Sequence, residues 1–190
     1  MARIMPAEGA PSIEADAADA QDRLENQTQA IFAHRPESQR LLGELLASFG
    51  AGASGTLPPR LLELCRLRIA FWNQCRSCMS LRYMPDVVGE DLVCSLERPE
   101  EGDDLSDAEK AALRYADLLA SNHLAIDEAV YADLREYFDE GQIVELGMYC
   151  AGSIGYGRLA ASWRLTDHLH ESFQGERDEA FTPWGGGALR

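Results

Sequence analysis

The sequence predicts an all-α fold. Three observations carry this expectation: apolar residues recur at helical spacing through most of the chain, helix-start signals precede several of those stretches, and no strand-like alternation of useful length appears. At 190 residues the chain is long enough for one domain with a sizeable core. The expected organisation is an arm over residues 1–20, one helical domain over 21–173, and a tail over 174–190.

Residues 1–20 are rich in Ala, Asp, Glu and Pro with few large apolar groups, the composition of a disordered or frayed arm. A first helix is expected over 21–34, with Leu24, Thr28, Ile31 and Phe32 on one side. Pro36 suits the first turn of a second helix, to Phe49, with Leu41, Leu42, Leu45 and Leu46 at helical spacing. Gly50 to Gly55 reads as a flexible connector. Leu57-Pro58-Pro59-Arg60 opens a third helix, to Trp72 or Asn73, whose apolar set is Leu61, Leu64, Cys65, Leu67, Ile69 and Phe71. A short helix from Cys75 to Tyr83 is stopped by Pro85, and another spans Gly89 to Leu96.

Arg98 to Asp104 reads as a polar loop. Ser106 and Glu109 have capping-box spacing and start a helix to Ser121, with Ala112, Leu113, Ala116, Leu119 and Ala120 inward. Asp127 caps the next, which carries Val130, Leu134, Tyr137 and Phe138. A last long helix runs from Gln142 to Trp163, and its Gly147, Gly152, Gly155 and Gly157 permit close helix contact at some cost in propensity. A faint repeat relates Glu63-Leu64 to Glu145-Leu146, though chance accounts for two matching residues.

Composition narrows the function. The formal net charge is −15, from 17 Lys and Arg against 32 Asp and Glu, a surface that repels phosphate backbones and argues against a nucleic-acid partner. It gives no reason to expect adhesion to anionic membranes, and no apolar run reaches the ~18 residues of a membrane helix. The first twenty residues lack the apolar stretch of a signal peptide, so a cytoplasmic protein is expected. Five cysteines without a secreted spacing are expected to be mostly free thiols there.

The most informative feature is Cys75-Arg76-Ser77-Cys78. Two cysteines three apart fit a reversible dithiol, an inert pair of small core residues, or half a zinc site. Zinc ranks low, because no second CxxC or HxxxH completes the ligand set, and His168 and His170, two apart, share no helical face. Redox chemistry ranks first. It needs a thiolate, which a helix start near Cys75 and the charges of Arg76 and Arg82 favour. Glu63 is a candidate base from the preceding helix; taken alone, an ion pair with Arg66 or Arg68, or plain exposure, is the more ordinary reading. Cys65, Cys94 and Cys150 fit buried small hydrophobes, His123 a helix-end cap and His34 a surface turn. Tyr83, Trp72 and Tyr156 suit a pocket, but aromatics at helical spacing are more often core.

The stretch LPPRLLELCRLRIAFWNQCRSCMSL, Leu57 to Leu81, resembles the signature helix pair of the carboxymuconolactone decarboxylase/alkylhydroperoxidase D-like superfamily, with Ala70 and an Asn before the CxxC. His34-Arg35-Pro36-Glu37, Leu41 to Leu46, Leu105 to Asp117 and Phe138 to Leu159 are also similar, so the resemblance covers most of residues 34–165. It implies an alkylhydroperoxidase D-like helical bundle and, on the peroxidase branch, a thiol-dependent hydroperoxide reductase without metal or organic cofactor. Glu63, twelve residues before Cys75, becomes the implied proton acceptor. The resemblance implies that Cys78 attacks the hydroperoxide and Cys75 resolves the sulfenic acid, leaving a Cys75–Cys78 disulfide. It further implies an external thiol reductant and a homo-oligomer, often a trimer or hexamer.

The chain departs from the family where a histidine commonly stands four residues after the second cysteine: here it is Arg82. Some members also carry a histidine between the cysteines, where this chain has Ser77. Arginine stays protonated and cannot relay a proton, but it can stabilise a thiolate or pair with Glu63. Two rivals follow: a cofactor-free lyase of the decarboxylase branch, and a non-catalytic, redox-responsive oligomer.

Overall fold

A computed structural model describes residues 2–50, 53–170, 173 and 174. Eight α-helices are found among them: α1 (Ala20–Phe32), α2 (Pro36–Ala47), α3 (Pro59–Trp72), α4 (Arg76–Ser80), α5 (Glu90–Ser95), α6 (Asp107–Ser121), α7 (Glu128–Arg135) and α8 (Glu140–Trp163). Short 3₁₀ turns at Pro99–Glu101 and His123–Ala125 complete the set, and no β-strand occurs among the described residues. The fold is all-α, as the sequence predicts.

Local chemistry explains the helix ends. Ser106 and Glu109 form the expected capping box on α6, and Asp139 and Gln142 form a second on α8, so that helix begins at Glu140. Asp127 accepts from the backbone N–H groups of Ala129 and Val130 at the start of α7. Helix α4 is shorter than its Cys75–Tyr83 expectation. Cys75 is its cap, and Leu81 leaves helical geometry at ψ 139° to pack against a second apolar cluster.

Helix α3 is the centre of the molecule and packs against α6, α8 and α4. Ten of its fourteen residues are buried, which explains why its sequence is apolar on several faces rather than one. Leu64, Leu67, Ile69 and Phe71 meet Leu113 and Ala116 of α6 and Leu146 and Cys150 of α8 in the main core. Each such leucine stabilises the fold by about 1.5–3 kcal/mol through its removal from water. Leu24 and Ile31 of α1 form a smaller cluster with Trp163, Leu165 and Leu169, closed by Phe32, Leu81 and Phe173.

The N-terminal arm packs Ala2 against the smaller cluster and is tied to the helices by hydrogen bonds. Its Arg3 N–H donates to Trp163 O and its Ala7 N–H to Ala30 O, while Asn26 donates to the carbonyls of Ile13 and Ala15. His34 is exposed, with its Nε2 against Met5 O. The tail read from 174 to 190 lies outside the described residues apart from Gln174.

Two sequence expectations change. Cys94 is exposed, because Leu92, Val93 and Leu96 take the inward positions of that segment. Helix α2 buries none of its residues: Leu41, Leu45 and Leu46 face outward, and its periodic leucines do not contribute to the core. No helix among the described residues is long and apolar enough to cross a membrane.

Candidate active site

The site is built where α3 stops. Gln74 adopts a left-handed φ of +52°. The N–H of Gln74 then reaches Phe71 O and that of Cys75 reaches Ala70 O, the two bonds of a Schellman stop. Asn73, just before it, is anchored to α8. Its Nδ2 donates to the carbonyls of Ser153 and Ile154, and its Oδ1 accepts from Arg158 Nε. Gly157 permits this approach, since a Cβ there would collide with Asn73 Nδ2. The cysteine pair therefore follows a turn held rigidly between two long helices.

Cys75 and Cys78 are brought together and their sulfurs are bonded at 2.08 Å. Cys75 caps α4: its Sγ accepts the Cys78 N–H at 3.3 Å and lies 3.4 Å from Ser77 Oγ. The Cys78 N–H bond fixes the Cys75 sulfur at the start of α4. Cys75 is fully buried, whereas Cys78 is half-buried, so the second sulfur is the more accessible.

Glu63 lies in the preceding helix and is only 3% exposed. Its carboxylate is clamped by Arg66, with Nε to Oε2 at 2.6 Å and Nη2 to Oε1 at 2.8 Å, and Oε1 also accepts from the Tyr83 N–H at 3.0 Å. The same guanidinium donates to the carbonyls of Cys78 and Leu81, both at 2.9 Å, and stacks over the Tyr83 ring. Burial opposes the charge on Arg66, but the hydrogen bonds and charge of Glu63 outweigh it and raise the guanidinium pKa. Of the two ion pairs offered for Glu63 by sequence, Arg66 makes it. Arg68 instead forms a two-point bond with Asp117 of α6, which also accepts from Trp72 Nε1.

Arg82 does not pair with Glu63. It binds both oxygens of Glu90 and donates to the carbonyls of Met79 and Leu81. Arg66 and Arg82 thus cap the open C-terminal end of the CxxC helix from two sides. Arg76, between the cysteines, is buried and donates to Gln174 O at 2.7 Å. No group of three or more potential metal ligands is gathered among the described residues.

Two residues lie at the site that the sequence does not place there. Arg66 was visible only as a possible salt-bridge partner, although its spacing of three from Glu63 places both on one helix face. Tyr149 of α8 is brought beside the pair by tertiary packing, and its ring meets Phe49 edge-on at 5.6 Å. Burial pushes its phenol well up; Arg66 pulls the other way and Glu63 pushes up again, so the hydroxyl stays protonated at neutral pH. Nothing in the local sequence of Tyr149 signals this neighbour. Cys65 and Cys150 are buried in the core, as expected, and the adjoining Cys150 thiol together with burial holds Cys65 well above the ordinary thiol range.

No family model matches the chain. Two uncharacterized proteins of Mycobacterium tuberculosis, one from strain CDC 1551 / Oshkosh and one from strain ATCC 25618 / H37Rv, are each 43% identical to it over 95 residues. That match covers 47% of this chain and 33% of theirs, so the chain spans about a third of the length of these curated relatives. Among solved structures, the crystal structure of an alkylhydroperoxidase AhpD core, an uncharacterized peroxidase-related protein from Ralstonia eutropha JMP134, superposes with a TM-score of 0.62 at 20% identity. The alignment covers 90% of this chain and 96% of that one. The chain therefore has the all-helical alkylhydroperoxidase D-like fold, with a paired CxxC at the end of its central helix.

Proposed function

We propose that the protein is a thiol-dependent hydroperoxide reductase that cycles Cys75 and Cys78 between dithiol and disulfide. The observation that carries this reading is the pair itself: a buried, hydrogen-bonded Cys75 beside a more accessible Cys78, on an alkylhydroperoxidase D-like scaffold.

In the first step the Cys78 thiolate attacks the terminal peroxide oxygen. The O–O bond breaks, Cys78 becomes a sulfenic acid, and the alcohol leaves with the proton the thiol gave up. The Cys75 thiol then gives up its proton and attacks the Cys78 sulfur; the S–O bond breaks, and the hydroxide leaves as water with that proton as the disulfide forms. Two electrons from an external thiol reductant, such as a cytoplasm supplies, return the pair to the dithiol. Glu63 is the carboxylate available to take the Cys78 proton; with three hydrogen bonds already accepted, about one lone-pair site remains, on Oε2.

The test is mass spectrometry of alkylated protein before and after hydroperoxide, with peroxide consumption measured in parallel. A new Cys75–Cys78 bond and loss of consumption in Cys75→Ser and Cys78→Ser are expected. Consumption unchanged in both variants sinks the reading. Conversion of a carboxymuconolactone that survives thiol blockade selects the lyase instead. The clamping of Glu63 and the diversion of Arg82 to Glu90 are the observations that favour the non-catalytic, redox-responsive reading. Disulfide formation without multiple turnover is the outcome that selects it.

Self-association belongs to the same proposal. The outward faces of α2 and α8 carry Leu41, Leu45, Leu46, Val144, Met148 and Leu159, all exposed. These side chains present on the order of 500 Å² of apolar surface, in the upper part of the range for the largest apolar patch of a typical monomer, a size that often marks an interaction site. The two charged side chains of α8 between Gln142 and Trp163 do not interrupt this face, because Glu145 binds Gly50 and Thr56 and Arg158 binds Asn73 and Ala120. Light scattering should give a mass above one chain, reduced by Met148→Glu; a single-chain mass at micromolar concentration contradicts it.

A further inference from the structure

We propose that Arg66 is a positioning residue that sets the charge balance at Cys78, by neutralising Glu63 and by holding the Cys78 carbonyl with the same guanidinium. The functional consequence rests on the dithiol reading above; the charge relationship stands on geometry alone.

One guanidinium makes four hydrogen bonds here: two to Glu63, one to Cys78 O and one to Leu81 O. It joins a buried carboxylate on α3 to the backbone of the cysteine on α4. A planar fork with five N–H donors meets this demand, and a lysine ammonium does not. The pair is shielded: side-chain exposure is 12% for Arg66 and 3% for Glu63.

That shielding decides the electrostatics. A lone buried carboxylate disfavours a thiolate nearby, because two anions then share a poorly solvated site. Paired with Arg66, Glu63 adds no net charge. The other charged groups around the site have their own partners. Arg82 is taken by Glu90 and Arg76 donates to Gln174 O; Asp117 and Glu109 of α6 are taken by Arg68 and Arg60; Glu25 of α1 accepts from Gln21. Tyr149 of α8 stays neutral, the Tyr83 ring lies against the guanidinium, and Cys75 Sγ is satisfied by the Cys78 N–H. Arg66 is the cation that connects Glu63 to Cys78.

The experiment measures iodoacetamide labelling of Cys78 in the reduced 190-residue chain across pH, located by fragment mass spectrometry. Arg66→Met is expected to move the labelling midpoint up by about one pH unit, a roughly tenfold slower reaction at neutral pH. The double variant Glu63→Gln/Arg66→Met removes the stranded carboxylate and is expected to return labelling to within about twofold of the native rate, because alkylation reads the thiolate fraction at equilibrium and not the proton transfer in turnover for which Glu63 is the acceptor. Arg66→Lys keeps the charge and is expected to shift the midpoint by less than half as much. An unchanged midpoint in Arg66→Met overturns the proposal. So does a double variant as impaired as the single one, since lost structural contacts are not restored by Glu63→Gln. If Arg66→Met does not fold by circular dichroism, the Lys and double variants carry the test: native labelling in the double and a small shift in Lys support it, and a large shift in both overturns it. Labelling needs no peroxide. Arg66-dependent labelling without peroxide-driven disulfide formation therefore overturns the reductase reading and leaves this one standing.

Discussion

Glu63 and Arg66 sit one turn apart on α3 and form a two-point ion pair at 2.6 and 2.8 Å, shielded from water and fastened to the carbonyl of Cys78. Breaking such a pair from one side leaves an uncompensated buried charge. Arg66→Met should cost about 3–5 kcal/mol of stability, and Glu63→Gln/Arg66→Met clearly less. Urea denaturation of the reduced protein measures both. Equal losses in the single and double variants would show that the fork's contacts to Cys78 and Leu81, and not its charge, carry the effect.

The turn before the cysteines stores a local cost at Gln74, whose φ is +52°. Gln74→Gly should stabilise the chain by up to about 1 kcal/mol, because glycine adopts this conformation without the Cβ conflict. Gln74→Val should destabilise it by roughly 1–2 kcal/mol and slow disulfide formation, since the Schellman bonds that seat Cys75 weaken. Thermal melts and the rate of disulfide closure report the two effects separately.

Gly157 and Gly152 lie on the same helix but answer to different neighbours. A Cβ at Gly157 meets Asn73 Nδ2, whereas one at Gly152 meets nothing within 4 Å. Gly157→Ala should lower the melting temperature and perturb the Asn73 anchor. Gly152→Ala should raise stability by up to about 1 kcal/mol through helix propensity in the isolated chain. A Gly157→Ala protein as stable as the native one would contradict the role given to Asn73.

Stability should fall at both ends of the pH range. Burial raises the pKa of Glu145, but the backbone N–H groups of Thr56, Gly50 and Leu57 and the Thr56 hydroxyl outweigh it, so its carboxyl sits below the ordinary value of 4.5. A group lowered in the folded state stabilises above its unfolded pKa and loses that contribution as pH falls through the folded pKa. Glu145→Gln should therefore flatten the acid limb below about pH 4.5. Tyr115 is pushed up to about 12, first by burial and then by Tyr131. Its contribution is complete below pH 10 and is lost as pH rises toward 12, so Tyr115→Phe should flatten the alkaline limb. Urea midpoints measured across pH check both signs.

Helix placement was legible because its signals are local. The Ser106–Glu109 box, the Asp127 cap and the spacing of Leu61, Leu64 and Ile69 each act within a few residues. The cysteine pair was legible for the same reason, since three residues of spacing place the sulfurs within bonding reach. The orientation of an apolar stripe was less so: α2 has the periodicity of a core helix and faces outward, and Cys94 follows a buried valine onto the surface.

By itself, the sequence determined an all-helical chain, the helix caps at Ser106 and Asp127 and a cysteine pair just after the central helix. Only the tertiary structure decided which arginine meets Glu63. Arg68, two residues beyond Arg66, turns instead to Asp117, 49 residues away in the chain, because α6 packs on that side of α3. Arg82 was drawn to Glu90, and Tyr149 was carried to the site by the crossing of α3 and α8. Helical periodicity acts through bonds along one segment, whereas the partner of a buried charge is set by which segments exclude water from it together.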